Sequence, residues 1–169
     1  EKLVNEFSDF ARMPKPIFRE NNLVDIIQEN IDLLKELDNS IEISFNNNFD
    51  KILLKSDKEQ ISRVFLNLIK NSIESINQRA QNNNNFSKKI TIELSEDDNH
   101  IRSTIEDNGV GFNELKDNIK NILNPYFTTK KNGTGLGLSI VNKIINDHNG
   151  KIDFIPIKNG AKINIMFSK

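Results

Sequence analysis

The sequence predicts an α+β fold, a two-layer α/β sandwich in which a mixed sheet of about five or six strands carries three helices on one face. Three observations support this class. Apolar residues recur at helical spacing in three separate segments. Short alternating segments, typical of strands, occur in adjacent pairs, which excludes a doubly wound parallel fold. A chain of 169 residues, 36% of them hydrophobic, can also bury about 70% of its unfolded surface.

The composition excludes several classes of function. Because the chain has no cysteine, it has no disulfide, no thiolate metal site and no cysteine nucleophile. Its formal net charge of -1 gives no overall positive field to attract nucleic acid or an anionic membrane. No stretch approaches the roughly 20 apolar residues of a membrane span. Since the sequence starts at Glu1 and not at Met, we expect it to be a fragment of a longer protein.

The chain is predicted to have three parts. A short helical stripe made of Leu3, Phe7, Phe10 and Ala11 precedes two helix-stopping prolines, Pro14 and Pro16. This stripe is too short to bury itself, so it is interpreted as the end of a longer helix or as a helix that docks on its own domain. We assign residues 1–13 to this tail, 14–22 to a linker and 23–169 to the main domain.

The first half of the main domain begins with a helix, Leu23–Leu37, whose apolar face is interrupted by Asn30. The runs Ile41–Phe45 and Ile52–Leu54 flank turn-forming residues and predict a hairpin-like pair of strands.

A second helix begins at a capping box, Asp57 with Gln60 three residues on, and continues to about Arg79. The asparagine-rich segment Gln81–Ser87 is predicted to be a mobile polar loop that the fold does not need. Two strands joined by a turn follow, Ile90–Leu94 and Ile101–Ile105.

The second half contains a long segment, Asp107–Gly137, rich in Gly, Asn and Thr, and loops of that length are usually functional. A third helix is predicted from about Gly135 to His148, with Gly150 in the left-handed position that ends it. The last strands are Lys151–Ile155 and Ala161–Phe167.

Three motifs in this framework point to chemistry. Asp107-Asn108-Gly109-Val110-Gly111 follows a strand and, taken alone, is more typical of an ordinary turn than of a binding loop. The segment from Gly133 to Gly137 leads directly into a helix, where unpaired N–H groups and the positive helix end can hold phosphate oxygens. A flexible hinge would explain these glycines but not their position at a helix start. The spacing is neither that of a P-loop nor that of a dinucleotide-binding fold.

The third motif is a pair of asparagines on the second helix. Asn67 and Asn71 are four residues apart and therefore share a face among core-like neighbours. Two amide oxygens presented together suit a hard cation such as Mg²⁺. Asparagine on a helix is usually a solvated bystander, but the apolar neighbours favour the edge of a pocket.

Together these motifs resemble the histidine-kinase-type ATP-binding domain, the Bergerat fold of the GHKL superfamily. The four family boxes occur in family order and the resemblance covers about Leu23 to Lys169; the boxes are matched by Asn67–Asn71, Asp107–Gly111, Pro125–Lys130 and Gly133–Gly137. Within the superfamily the chain is similar to sensor histidine kinases of two-component systems. The opening Phe7–Arg12 resembles the tail of the dimerisation helix of nitrogen-regulation sensor kinases.

The resemblance implies ATP and Mg²⁺ as ligands and a role for each site residue. Asp107 accepts a hydrogen bond from the adenine amino group, which selects ATP over GTP. Asn71 ligates Mg²⁺, with Asn67 beside it. Phe127 anchors a lid over the nucleotide, and Lys130 contacts the terminal phosphates. The remaining implied nucleotide-binding residues either leave room for the base and ribose or wrap the phosphates: Gly109, Gly111, Gly133, Thr134, Gly135, Leu136 and Gly137.

The resemblance also distinguishes a kinase from a hydrolase. Hydrolysing members carry a glutamate as general base at the position of Asn67, which cannot usefully accept a proton. Asn67 and Lys130 are therefore the candidate catalytic residues of a kinase that preserves the terminal phosphate. His100 and His148 lie outside the family's phosphoacceptor setting, so the acceptor is expected on a dimerisation domain upstream of Glu1.

The implied partners are that dimerisation domain and the receiver domain of a response regulator, in a parent that is a homodimer, with no nucleic acid. The domain is expected to be cytoplasmic, and anchoring of the parent in the inner membrane stays open. A nucleotide-dependent binding module without phosphotransfer is the alternative, and an ATPase or anti-sigma serine kinase is disfavoured by Asn67.

Overall fold

The computed structural model describes residues 12–112 and 137–169. Ten elements lie in these two ranges, and their order is β1 (Arg19–Asn22), α1 (Leu23–Leu37), β2 (Glu42–Asn47), β3 (Leu53–Ser56), α2 (Lys58–Asn82), β4 (Lys89–Glu96), β5 (His100–Asp107), α3 (Gly137–Asp147), β6 (Gly150–Ile157) and β7 (Gly160–Ser168). Five strands form one sheet in the order β2-β4-β5-β7-β6, and β1 pairs with β3 in a separate two-stranded sheet. The predicted α+β class with three helices on one face of a mixed sheet is confirmed.

The sheet is mixed because β2 runs parallel to β4, whereas the β4–β5, β5–β7 and β6–β7 pairs are antiparallel. Alternate residues of each strand face the three helices, and this face forms the core with fully buried side chains such as Ile92, Ile105 and Ile165. The core is continuous from α1 to β7.

The opposite face of the sheet is polar. One row across it pairs Glu93 with Thr104, Thr104 with Asn164, and Asn164 with Asp153. All four side chains are exposed or half-buried, so no described helix covers this face.

The starts of α1 and α2 are set by side-chain caps. Asn22 Oδ1 accepts from Val24 N at 3.1 Å at the start of α1, and Asp57 Oδ1 accepts from Gln60 N at 3.1 Å at the start of α2. The predicted cap at Asp57 is therefore confirmed. Its reciprocal half is not made, because Asp57 N donates to His148 Nε2 at 3.0 Å. The Gln60 side chain instead donates from Nε2 to Pro14 O at 2.9 Å. α1 has the predicted bounds, while α2 continues three residues past Arg79, to Asn82.

The predicted hairpin of Ile41–Phe45 with Ile52–Leu54 is wrong. β2 instead pairs with β4, which sets Ile43 opposite Ile90, and β3 pairs with Arg19–Asn22 in the segment predicted as a linker. Turn-forming residues between two strands allow a hairpin but do not require one, and pairing with β4 places the apolar residues of β2 on the core face.

Asn149, not Gly150, takes the left-handed conformation that ends α3, with φ at 56°. Asparagine tolerates this region. Gly150 is needed for a different reason, since a Cβ there would lie 3.0 Å from both the Ile145 side chain and Met166 O.

His148 links the end of α3 to the start of α2. The ring is buried at 6% exposure, Nδ1 lies 2.7 Å from Ile144 O, and Nε2 accepts from Asp57 N at 3.0 Å. His148 therefore joins the two helices, because both ring nitrogens have protein partners.

Ser103 offers a test of core energetics. It lies on the helix-facing side of β5 at 1% exposure, and its Oγ has no hydrogen-bond partner within residues 12–112 and 137–169. A buried hydroxyl without a partner is costly, so Ser103→Ala is expected to raise the free energy of unfolding by about 1 kcal/mol. Urea denaturation measures this change. The control is Ser72→Ala, which removes a hydroxyl bonded to Asp107 and should lower the free energy of unfolding. A lower free energy of unfolding in Ser103→Ala would contradict the expectation.

Candidate functional site

Asp107 ends the central strand of the large sheet. It lies between Ile90 of β4 and Ala161 of β7, and only 5% of its surface is exposed. Its Oδ1 accepts from Gly109 N at 2.9 Å, and the Ser72 hydroxyl of α2 also bonds to the carboxyl group. The predicted carboxylate is therefore fixed in place beside α2.

Burial raises the pKa of the Asp107 carboxyl above its ordinary value of 3.8, although hydrogen bonds from Gly109, Ser72 and Ala161 favour the charged form. Burying a carboxyl group lowers the stability of the folded protein. Buried titratable groups with perturbed pKa values concentrate at functional sites. Asp107 is thus a buried, positioned carboxyl group and not part of a surface turn, and its role in binding adenine stays a prediction.

The two glycines that follow Asp107 make close contacts with protein backbone. A Cβ on Gly109 would lie 2.5 Å from Ser75 C and 2.7 Å from Ile76 N on α2. Gly111 has φ at +72° and faces Gly160 O. These contacts explain both glycines by packing, and the room that they were expected to leave for base and ribose stays a prediction.

Asn67 and Asn71 lie on α2, both half-buried, one turn apart on the same face. The next residue along this face is Ser75, whose Oγ accepts from Val110 N at 3.0 Å. Asn71 also precedes Ser72, the residue bonded to Asp107. α2 therefore brings the asparagine pair and the carboxyl group to one region of the molecule, and Glu74 on the same helix is exposed.

α3 begins at Gly137, and no described atom lies within 4 Å of the place where a Cβ would project from it. The helix packs against α2. The other predicted site residues lie outside the described ranges: Phe127, Lys130, Gly133, Thr134, Gly135 and Leu136.

The sequence did not predict the contacts around Asn108. The Arg79 guanidinium donates from Nη1 to Asn108 O at 2.6 Å and lies 3.9 Å from the centroid of the Phe86 ring. Phe86 and Ser87 belong to the loop predicted to be mobile and unnecessary, yet Phe86 packs against the core and Ser87 O accepts from Asn108 Nδ2 at 2.5 Å. The sequence signal that could have indicated this packing is Phe86 itself, an aromatic residue directly after a run of asparagines.

A groove of about 800 Å³ lies elsewhere on the molecule. It is lined by residues that include Phe18, Leu53, Ile101 and His148. Ile101 and Asp107 are six residues apart on β5, so the groove and the carboxylate are separated by roughly 20 Å. The groove is therefore not part of the candidate nucleotide site.

In the described ranges there is no group of three or more His, Cys, Asp or Glu side chains suited to holding a metal ion. The amide oxygens of Asn67 and Asn71 remain suitable donors for Mg²⁺, which binds few protein oxygens and keeps water and phosphate as its other ligands. Within the same ranges, no helix has the length and apolar character needed to cross a bilayer.

Comparison with known families gives one match that covers most of the chain. Residues 56–168 match the family described as histidine kinase-, DNA gyrase B-, and HSP90-like ATPase. Among proteins, a putative NtrY-like sensor histidine kinase of Rickettsia bellii is 36% identical over 99% of this chain. The nitrogen regulation protein NtrY of Azorhizobium caulinodans is 31% identical over 97%. The chain spans 26% and 21% of these two relatives.

The chain is also similar to solved structures of histidine kinases. The nucleotide-free catalytic domain of the histidine kinase ThkA is 31% identical, with a TM-score of 0.77, over 90% of this chain and 96% of that one. ThkA in complex with the response regulator protein TrrA is 27% identical, with a TM-score of 0.80, over 99% of this chain and 46% of that one. The likeness to nitrogen-regulation sensor kinases, predicted from the opening residues, is confirmed by the names of the relatives.

Proposed function

Because the chain belongs to the histidine kinase-, DNA gyrase B-, and HSP90-like ATPase family, we propose that it is the ATP-binding catalytic domain of a sensor histidine kinase. The domain transfers the γ-phosphoryl group of ATP to a histidine on a separate dimerisation domain, from which it passes to an aspartate of a response regulator.

One observation supports this function more than the others. The Asp107 carboxyl group is buried at the end of a central strand, bonded to Ser72, next to the half-buried Asn71 on α2. In this proposal the Asp107 carboxyl group is the acceptor that selects adenine, and the amide oxygen of Asn71 binds the metal. Adenine presents an amino donor where guanine presents a carbonyl, so a carboxylate at this position favours ATP.

The phosphates are assigned to the asparagine pair of α2 and to the start of α3, which packs against α2. Asn71, with Asn67 beside it, holds Mg²⁺, which when bound neutralises phosphate charge and orients the terminal phosphoryl group. The glycine segment ending at Gly137 supplies backbone N–H groups and the positive end of α3. Lys130 adds a positive charge at the terminal phosphates, and Phe127 holds the lid.

Asn67 makes transfer to water slow, since an amide cannot act as a general base near neutral pH. The phosphoryl group is thereby kept for the histidine. That acceptor is not His148, whose two ring nitrogens are bonded to Ile144 O and Asp57 N. The parent protein is a homodimer whose catalytic domains lie in the cytoplasm.

The test is phosphorylation in trans. The chain is incubated with γ-labelled ATP, Mg²⁺ and a purified dimerisation domain that carries the acceptor histidine. Acid-labile, base-stable label on that domain is the expected result. Without the dimerisation domain the chain should stay unlabelled, and a dimerisation domain with histidine replaced by glutamine is the control. ATP binding without any phosphohistidine would favour the nucleotide-dependent binding module, and no ATP binding would refute both.

A further inference from the structure

Asn108, the residue after Asp107, makes four hydrogen bonds. Asn108 N donates to Lys89 O at 3.3 Å, and Asn108 Oδ1 accepts from Lys89 N at 3.0 Å. Asn108 Nδ2 donates to Ser87 O at 2.5 Å, and Asn108 O accepts from Arg79 Nη1 at 2.6 Å. The side chain and the backbone of one residue thus join the end of β5 to the start of β4 and to α2.

Arg79 is itself held in place. Its guanidinium stacks on the Phe86 ring at 3.9 Å, and Phe86 packs against the core. A cation held over an aromatic face is stabilised by about 0.5 to 2 kcal/mol. The guanidinium is therefore positioned before it donates to Asn108 O, and little side-chain entropy is lost in that bond.

Val110, the residue after Gly109, is also hydrogen-bonded to α2. Val110 N lies 3.0 Å from Ser75 Oγ and 3.3 Å from Ser75 O. Gly109, whose N–H donates to Asp107 Oδ1, is thus fixed between Asn108 and Val110. The direction of the Asp107 carboxyl group depends on that N–H, and so on the attachments to either side of it.

We propose that Arg79, Phe86 and Asn108 form a clamp that positions the Asp107 carboxyl group and so sets the preference for adenine over guanine. The three are positioning residues, since none of them needs to touch the nucleotide. The proposal rests on the proposed function, because it concerns the purine that the same site selects. It also gives the loop after α2 a role, through Phe86 and Ser87.

Selectivity separates this role from a merely structural one. A loss of stability alone lowers the folded fraction and reduces ATP and GTP binding equally. A displaced carboxylate reduces the contact made only with adenine, since small displacements are enough to weaken an oriented hydrogen bond. The ratio of the dissociation constants for GTP and ATP is therefore the quantity to measure.

The experiment uses calorimetry with Mg²⁺ and either ATP or GTP on the full 169-residue chain. Arg79→Met keeps most of the side-chain length but removes the charge and the donor, and is expected to lower the GTP/ATP ratio about 5- to 10-fold. Arg79→Lys keeps a cation and a donor and should restore most of the ratio. Phe86→Leu keeps apolar bulk while removing the aromatic face, and should lower the ratio about 2- to 3-fold.

Leu34→Ala is the matched control. Leu34 is buried in α1 at 2% exposure, so its truncation destabilises the domain without touching the clamp. Amide hydrogen exchange at Gly109 gives a readout that needs no nucleotide, and we expect it to be about tenfold faster in Arg79→Met, with a smaller change in Leu34→Ala.

Three results would overturn the proposal. The first is an unchanged ratio in folded Arg79→Met and Phe86→Leu, and the second is an equal fall of the ratio in Leu34→Ala. In both cases wild-type protein that prefers ATP leaves the proposed function standing. The third is wild-type protein that binds neither nucleotide, which would remove the proposed function and the clamp together.

Discussion

Replacing Asn71 with alanine is expected to lower the affinity for ATP in Mg²⁺ by at least about 100-fold, because the variant loses the amide oxygen proposed to ligate the metal. The fold should survive, since Asn71 is only half-buried and truncation at such a position costs about 1 kcal/mol. Calorimetry with and without Mg²⁺ measures the effect, and circular dichroism checks the fold.

Gln78→Ala is the control for Asn71→Ala, because Gln78 is an exposed residue of the same helix. It should bind ATP like the wild type. Unchanged affinity of Asn71→Ala in Mg²⁺ would refute the proposed metal-binding role, and an equal loss with and without Mg²⁺ would show that Asn71 contacts the nucleotide and not the metal.

Asp107→Asn is expected to weaken ATP binding by one to two decades, the value of a hydrogen bond to a charged group of about 1.5 to 3 kcal/mol. The ratio of the dissociation constants for GTP and ATP should fall, because the new amide N–H₂ can donate to the guanine carbonyl. Glu106→Gln is the matched control, since Glu106 is the exposed neighbour on the same strand. Discrimination like that of the wild type in Asp107→Asn would contradict the assigned role.

The same substitution is expected to stabilise the protein at neutral pH. Burial raises the folded-state pKa of Asp107 above 3.8, so the unfolded chain loses this proton first as pH rises. Asp107 therefore lowers the free energy of unfolding progressively from about pH 4 to its folded pKa, and by a constant amount above it. Urea denaturation of both proteins as a function of pH should show that the free energy of unfolding of Asp107→Asn rises relative to that of the wild type over this pH range. A difference independent of pH would mean that Asp107 has an ordinary pKa.

The helices were predictable because their signals are local. Leu23–Leu37 has its predicted bounds, since apolar spacing and caps act within a few residues. Strand pairing is not local. The partner of β2 is β4, on the far side of the 25-residue α2, and turn residues after β2 carry no information about it. The hairpin was therefore predicted where the chain forms a parallel pair.

The candidate site divides in the same way. The motifs that contain Asp107 and Asn71 could be recognised in the sequence because each is short and continuous, and the roles assigned to them stay predictions. Arg79 and Asn108 were not, because they are 29 residues apart and each has an ordinary local explanation, as a helix end and as a turn. Ser72 was missed because a serine in an apolar helix face resembles a small core residue.

The polar face of the large sheet makes this domain suitable for fluorescence distance measurement. Because the chain has no cysteine, Glu93→Cys introduces a unique thiol on a strand surface that the described helices leave open. A dye attached there lies on the other side of the sheet from the helix-facing carboxyl of Asp107. Energy transfer to a second dye on the proposed dimerisation domain would then report any change in the distance between the two domains when ATP is added, with the proposed nucleotide site unlabelled.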